Sequence, residues 1–149
     1  MDMSAEYIRM CGLAYFMQED KKEYDLGDYF SYGGEVYIVN NYYLSDNYNT
    51  FRGVYFEEKE GDFHYSEFAD DSEGRAQVVW LPRIDQLAEM IESWNKEISQ
   101  AFFTNISINS KYRGIPAKGF NTLEKHLLCF AMYEKYKKQW KHCRWFNIE

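Results

Sequence analysis

Three cysteines and three histidines are the residues of this chain best suited to nucleophilic or metal chemistry. His126 and Cys129 stand three apart, so a helix would put them on one face, and His142-Cys143 follows soon after. Four donors of a type that suits zinc are therefore present. Adjacent His142 and Cys143 are poorly placed to ligate one tetrahedral ion, and no Cys-x-x-Cys or His-x-x-x-His pair supports them. The expectation is no metal site and no cofactor. Cys11 and Cys129 lie among apolar residues with helical spacing, where a thiol behaves as a small hydrophobe. None of the cysteines or serines sits in an activating motif, and the chain carries no phosphate-binding glycine loop and no calcium loop. No catalytic residue is assigned, and a non-enzymatic chain is expected.

Carboxylates form a stronger pattern. The formal net charge is −7, and residues 57–73 alone carry that much. There Glu57, Glu58, Glu60, Asp62, Glu67, Asp70, Asp71 and Glu73 face only Lys59. Residues 111–145 hold nine Lys and Arg against two Glu. One reading is solvated faces that complement each other within the molecule. In it, Glu57-Glu58 and Asp70-Asp71 are turn and edge-strand charges that keep a sheet from pairing with neighbours. The sharper reading makes the eight carboxylates, with Tyr55 and the nearby Tyr42, Tyr43 and Tyr48, a binding face for a basic protein partner. A basic nucleic-acid-binding protein has the matching charge. The alternative site is a C-terminal helix on which Lys135, Lys137, Lys138, Lys141 and Arg144 interleave with Tyr136, Trp140 and Trp145, chemistry suited to phosphates and stacked bases. An isoelectric point near 5.0 and an acidic front half disfavour direct nucleic-acid binding.

At 149 residues, 46% hydrophobic and 28% charged, the chain can bury a core and reads as a single α+β domain over 1–149. No apolar run reaches the roughly 18 residues that span a bilayer, so no membrane segment is expected. Arg9 and Gly12 interrupt the N-terminal apolar stretch, which removes the signal-peptide pattern. Three scattered cysteines make no disulfide framework, consistent with a reducing cytoplasm. The aromatics Trp140, Trp145 and Phe146, read as exposed, suit a homodimer.

The elements that would position these residues can be read in order. Ser4 caps a helix to about Gln18, with Tyr7, Ile8, Cys11, Ala14 and Tyr15 on one stripe. Tyr29–Tyr32 and Glu35–Val39 flank Gly33-Gly34 as a β-hairpin. Residues 40–49 read as a loop, and Phe51–Glu57 and Phe63–Phe68 as strands around a turn at Gly61. Asp70–Gly74 reads as a further turn and Arg75–Trp80 as a fifth strand. The short turns predict an antiparallel meander. Pro82 opens a helix whose apolar positions recur from Ile84 to Phe102, and residues 105–120 form a long irregular connection. Asn121 or Thr122 caps a last helix to about Lys141, with Glu124 completing a capping box to Asn121 and Leu123, Leu127, Phe130 and Ala131 on its core stripe. The fold class expected is a small antiparallel sheet of four or five strands covered by about three helices.

Three stretches together resemble a group of small proteins encoded in phages and prophages of Gram-positive bacteria. They are Tyr7-Ile8-Arg9-Met10-Cys11, Trp80-Leu81-Pro82-Arg83-Ile84-Asp85-Gln86-Leu87, and Leu123 through Phe130 continuing over Met132-Tyr133-Glu134-Lys135-Tyr136 to Trp140. The Gly27-Asp28 strand start also matches. The middle box has a packing or capping role for each residue, with Arg83 and Asp85 able to pair, and the group brings no catalytic residue to carry over. A Tyr-rich acidic insertion between residues 40 and 74 departs from it. The resemblance implies a phage-type accessory protein in a bacterial cytoplasm that binds a host or phage macromolecule. Its most concrete form is an anti-CRISPR-like inhibitor of a host defence nuclease, presenting the acidic face. The alternatives are nucleic-acid binding through the basic C-terminal helix, or an enzyme whose site lies in the 105–120 connection.

Overall fold

The computed structural model describes residues 1–45, 48–91 and 120–148. In chain order the elements are α1 (Ala5–Gly12), α2 (Tyr15–Asp20), β1 (Tyr29–Tyr32), β2 (Glu35–Ser45), β3 (Tyr48–Glu57), β4 (Asp62–Ala69), α3 (Ser72–Arg75), β5 (Val79–Leu81), α4 (Ile84–Glu89), α5 (Leu123–Tyr136), β6 (Lys138–Lys141) and β7 (Arg144–Asn147). This is an α+β chain, with a five-stranded antiparallel sheet, a two-stranded sheet and five helices among the described residues. It divides into two compact units, Met17–Pro82 and Met1–Phe16 with Arg83–Glu149.

The Met17–Pro82 unit is built on the hairpin that Gly33 and Gly34 permit. Their φ angles of +59° and +86° suit a two-residue turn between right-twisted strands, and they set Tyr32 opposite Glu35 and Phe30 opposite Tyr37. Of the loop expected over 40–49, the described residues Asn40–Ser45 and Tyr48–Asn49 are instead strand. Asn41 to Leu44 continue β2 and pair with Arg52 to Asn49 of β3, after a bulge between Val39 and Asn41. Tyrosine fits a pleated, half-buried surface, so the Tyr-rich composition read as irregular is a strand composition. The strand expected over 75–80 is also corrected. Arg75 ends α3, and only Val79–Leu81 pairs. Its partner is β1, not β4, giving the order β4-β3-β2-β1-β5. The Gln18 side chain accepts from the Trp80 N–H at 2.8 Å and donates to its carbonyl at 2.9 Å, satisfying backbone groups of β5 that β1 does not reach. The core of this unit is aromatic. Phe30 stacks on Tyr37 (centroids 5.2 Å apart) and meets Phe51 and Phe68 edge-on, while Tyr24 stacks on Phe51 at 4.4 Å.

In the other unit, the Ser4 hydroxyl accepts from the Tyr7 N–H at 3.2 Å and caps α1 as expected. The helix breaks at Leu13-Ala14 instead of running on, which turns Tyr15 outward. Pro82 precedes the helix cap and does not itself open the helix: Arg83 is the N-cap of α4, its N–H donating to Gln86 Oε1 at 2.9 Å, and its guanidinium meets both Asp85 oxygens at 3.1 Å. The rest of the expected 84–102 helix and most of the 105–120 connection lie outside the described residues. α5 is buried without interruption from Lys125 to Met132, so the expected stripe is in fact a core helix covered all round. The expected capping box does not form. Thr122 is the N-cap, but its hydroxyl donates to Asp2, Asn121 accepts from Lys125, and Glu124 meets the N-terminal ammonium at 3.3 Å. α5 stops at Tyr136, where Lys137 takes a left-handed conformation (φ 55°).

Candidate interaction surface

The last helix therefore does not carry the basic residues toward Lys141. β6 and β7 form a hairpin turned by His142 and Cys143, at φ 48° and 58°, with Trp140 opposite Trp145. The five cations of the alternative nucleic-acid site are spread along this path, and four of them are engaged locally. Lys137 Nζ donates to the Glu134 carbonyl, and Lys138 donates to Asn147 and lies 5.1 Å from the Phe16 ring. Lys135 lies over Tyr136 and Arg144 over Phe146. Lys141 is exposed on β6. Trp140 is buried, contrary to the expected exposed aromatic face, and Trp145 Nε1 donates to the Met10 carbonyl at 2.9 Å. One helical face of cations and aromatics does not form.

The acidic segment divides by role. Asp70 has a side chain only 1% exposed; it accepts from Arg75 at 3.0 Å and from the Tyr42 hydroxyl at 2.7 Å. Partial burial and that hydrogen bond push the Tyr42 phenol up to about 12. Asp71 Oδ1 accepts from the Gly74 N–H at 2.7 Å and caps α3. These two carboxylates hold the chain in place. Glu73 lies exposed in α3.

The remaining five lie on the β3–β4 hairpin. Strand alternation sorts them. Tyr55 and Glu57 share one face with their partners His64 and Asp62. The opposite face carries Phe56 beside Phe63, and Tyr65 and Glu67 further along. On that face Phe56, Phe63 and Tyr65 are 51%, 56% and 54% exposed, with the two phenylalanine rings 5.0 Å apart. Arg52 packs over Tyr65 at 4.9 Å, and Glu67 hydrogen-bonds Tyr43, whose phenol it shifts upward. Glu58, Lys59, Glu60 and Asp62 are exposed at or beside the turn. β4 is the edge of the sheet, so charges along it also guard an open ladder, as the plainer reading expects. Tyr55 is half-buried, with Tyr37 edge-on at 4.9 Å on one side and His64 stacked on the other. Burial first, then Glu35 and Glu57, raise its phenol.

The thiols and imidazoles of the sequence-level metal question do not assemble. His126 is buried, with Nδ1 on the Thr122 carbonyl at 2.7 Å and Nε2 accepting from the Phe120 N–H at 3.1 Å. Both ring nitrogens are thus satisfied as a core histidine. Cys11 and Cys129 are buried thiols outside any disulfide, and burial pushes their ionisation well up, the opposite of activation. Among the described residues, the one group of three metal-ligating side chains that converges is Glu57, Glu60 and His64. Sequence reasoning missed His64 because the strand pairing that sets it beside Glu57 is a tertiary fact.

Among the described residues, no helix is long and apolar enough to cross a membrane. No family model, curated protein or solved structure matches this chain.

Proposed function

We propose that this chain acts by binding, without chemistry of its own, and that its contact element is the β3–β4 hairpin set against a basic surface of a partner protein. The observation that carries the reading is the coincidence, on one exposed hairpin, of Phe56, Phe63 and Tyr65 with Glu58, Glu60, Asp62 and Glu67. Aromatic side chains supply contact area at low entropic cost, and surrounding carboxylates steer and orient a cationic partner. A groove built for nucleic acid has that cationic chemistry, so the most concrete version is an anti-CRISPR-like inhibitor that occupies the nucleic-acid path of a host defence nuclease. The proposed cellular setting is the bacterial cytoplasm.

The test spares Asp70 and Asp71, the carboxylates bonded to Arg75, Tyr42 and the Gly74 N–H. A Glu58→Lys/Asp62→Lys/Glu67→Lys variant and a separate Phe63→Ser variant are compared with the parent chain as inhibitors of guide-directed DNA cleavage by a panel of CRISPR nucleases. The expected outcome is inhibition by the parent that weakens at least about tenfold in both variants, since a buried aromatic anchor is worth about 2 kcal/mol or more. Inhibition by the parent that both variants retain would remove the hairpin from the contact. No inhibition of any nuclease in the panel would remove the nuclease-inhibitor version.

A further inference from the structure

The turn of the β3–β4 hairpin brings three donors to one point. Glu57 ends β3, Glu60 lies in the turn, and His64 stands on β4 on the same face as Glu57. The turn is closed by the Gly61 N–H on the Glu57 carbonyl at 2.8 Å, which folds Glu60 back over the ladder. His64 Nε2 is 3.2 Å from Glu57 Oε2 and 3.4 Å from Glu60 Oε2, and one ligand atom from each residue lies within 4.8 Å of the others. Donors around a tetrahedral ion with bonds of 2.0–2.1 Å are separated by about 3.3 Å, so both imidazole–carboxylate distances already equal a coordination edge.

A second observation concerns Nε2 itself. The His64 side chain is 38% exposed, yet its Nε2 atom is shielded from solvent. Neither carboxylate oxygen meets that atom in hydrogen-bonding geometry, despite their closeness. A shielded ring nitrogen flanked by two anionic oxygens that it does not hydrogen-bond is an unsatisfied group, and a cation between the three satisfies all of them at once. The ring is also held in place. Tyr55 lies against it with centroids 5.0 Å apart and planes within 14°, and Tyr37 packs edge-on against Tyr55. Rigid support of this kind is what a preorganised ligand needs. The surrounding segment carries a net charge of −7 over residues 57–73, which raises the local concentration of cations.

We propose that Glu57, Glu60 and His64 form a binding site for a first-row divalent cation of borderline softness, with zinc as the fitting example. One imidazole nitrogen and two carboxylate oxygens favour zinc over calcium or magnesium, which take all-oxygen shells. Three protein donors leave a fourth position open to water. The site is independent of whether the hairpin meets a partner.

The experiment is calorimetric titration of the full chain with zinc chloride at neutral pH, on a Cys143→Ser background that removes the one exposed thiol. One saturable zinc per chain is expected. His64→Ala and, separately, Glu60→Gln should each weaken it by at least about tenfold, the lower end of what losing even a supporting partner costs. Both replaced side chains are partly or fully exposed, and unchanged circular dichroism confirms that the variants are folded. Cobalt(II) should give visible d–d bands without thiolate charge-transfer bands. Absence of saturable zinc binding, or binding that survives both substitutions, would overturn the proposal and leave three neighbouring side chains that hold no ion. The Glu58→Lys/Asp62→Lys/Glu67→Lys variant retains all three ligands, so loss of partner binding with zinc still bound separates failure of one proposal from failure of the other.

Discussion

Tyr55 lies flat on His64 across the β3–β4 ladder, as directly opposed residues with ring centroids 5.0 Å apart. The pair joins the aromatic interior of the sheet to its acidic turn, because Tyr55 is also met edge-on by Tyr37, which stacks on Phe30. Tyr55→Leu keeps a strand-compatible apolar residue but removes both ring contacts. Aromatic pairs of this geometry are worth about 0.5–1.5 kcal/mol each beyond their buried area. Urea denaturation should show a loss of about 1–2 kcal/mol, and a loss below about 0.3 kcal/mol would show that the stack carries no stability.

Gly53 is the place where β3 lets the aromatic core close. A Cβ there would stand 2.4 Å from Phe30 Cζ and 2.8 Å from Tyr37 Cβ. Gly53→Ala must displace a ring that Tyr24, Tyr37, Phe51 and Phe68 hold on several sides. Overpacking of this kind costs about 1–3 kcal/mol, against the usual gain from replacing a strand glycine. A lowered thermal midpoint is expected, and an unchanged or raised one would mean that the ring moves freely.

His142 and Cys143 occupy a two-residue turn at positive φ without being glycine. Such positions cost L-residues roughly 1 kcal/mol that glycine or asparagine does not incur. Cys143→Gly should therefore stabilise the β6–β7 hairpin by up to about 1 kcal/mol, seen as slower amide exchange across Trp140 and Trp145. Faster exchange would contradict the turn assignment.

Lys125 is 2% exposed and reaches Glu6 at 2.6 Å, Asn121 at 2.9 Å and Asp2 at 3.8 Å. Burial raises the Asp2 carboxyl, but hydrogen bonds from Thr122 and Ser4 more than offset this, and Lys125 adds to the lowering. Lys125→Met fills similar volume while leaving buried Asp2 without its cation. The expected cost is on the order of 3 kcal/mol, the lower part of the range for a broken buried pair, since Glu6 reaches solvent. Because the Asp2 carboxyl is lowered in the folded chain, its contribution is present above the unfolded value of 3.8 and fades as pH falls below it. Lys125→Met should therefore lose stability mainly at neutral pH and converge on the parent in acid, as denaturant titrations at several pH values can check.

The alkaline limb has a different origin. Burial raises the phenols of Tyr7 and Tyr24 well above 10.0, so the folded chain keeps them neutral where the unfolded chain would ionise them. Their contribution is complete below about pH 10 and is lost as pH rises beyond it, at about 1.4 kcal/mol per pH unit for each phenol. Stability should fall steeply above pH 10, with part of the tyrosinate absorbance appearing only as the chain unfolds. A smooth titration of all the tyrosines before unfolding would show that these two are accessible.

Local chemistry made much of the fold legible in advance. Gly33-Gly34 declared its hairpin, Ser4 its cap, and Arg83 with Asp85 the ion pair at the start of α4, because each depends on residues within a few positions. The acidic segment was equally visible, but composition alone does not separate a carboxylate that holds the chain from one that faces solvent. Asp70 and Asp71 became structural only when Arg75, Tyr42 and the Gly74 N–H were placed beside them. Tertiary pairing also decided that Asn40–Ser45 and Tyr48–Asn49 are strand, that β5 joins β1, and that the basic tail is a hairpin and not a helix. The reason is common to all of these: a strand's hydrogen bonds are made to residues distant in sequence, whereas a cap or a turn satisfies its own neighbours. His64 follows the same rule, since register across a ladder, and not spacing along the chain, is what sets an imidazole between Glu57 and Glu60.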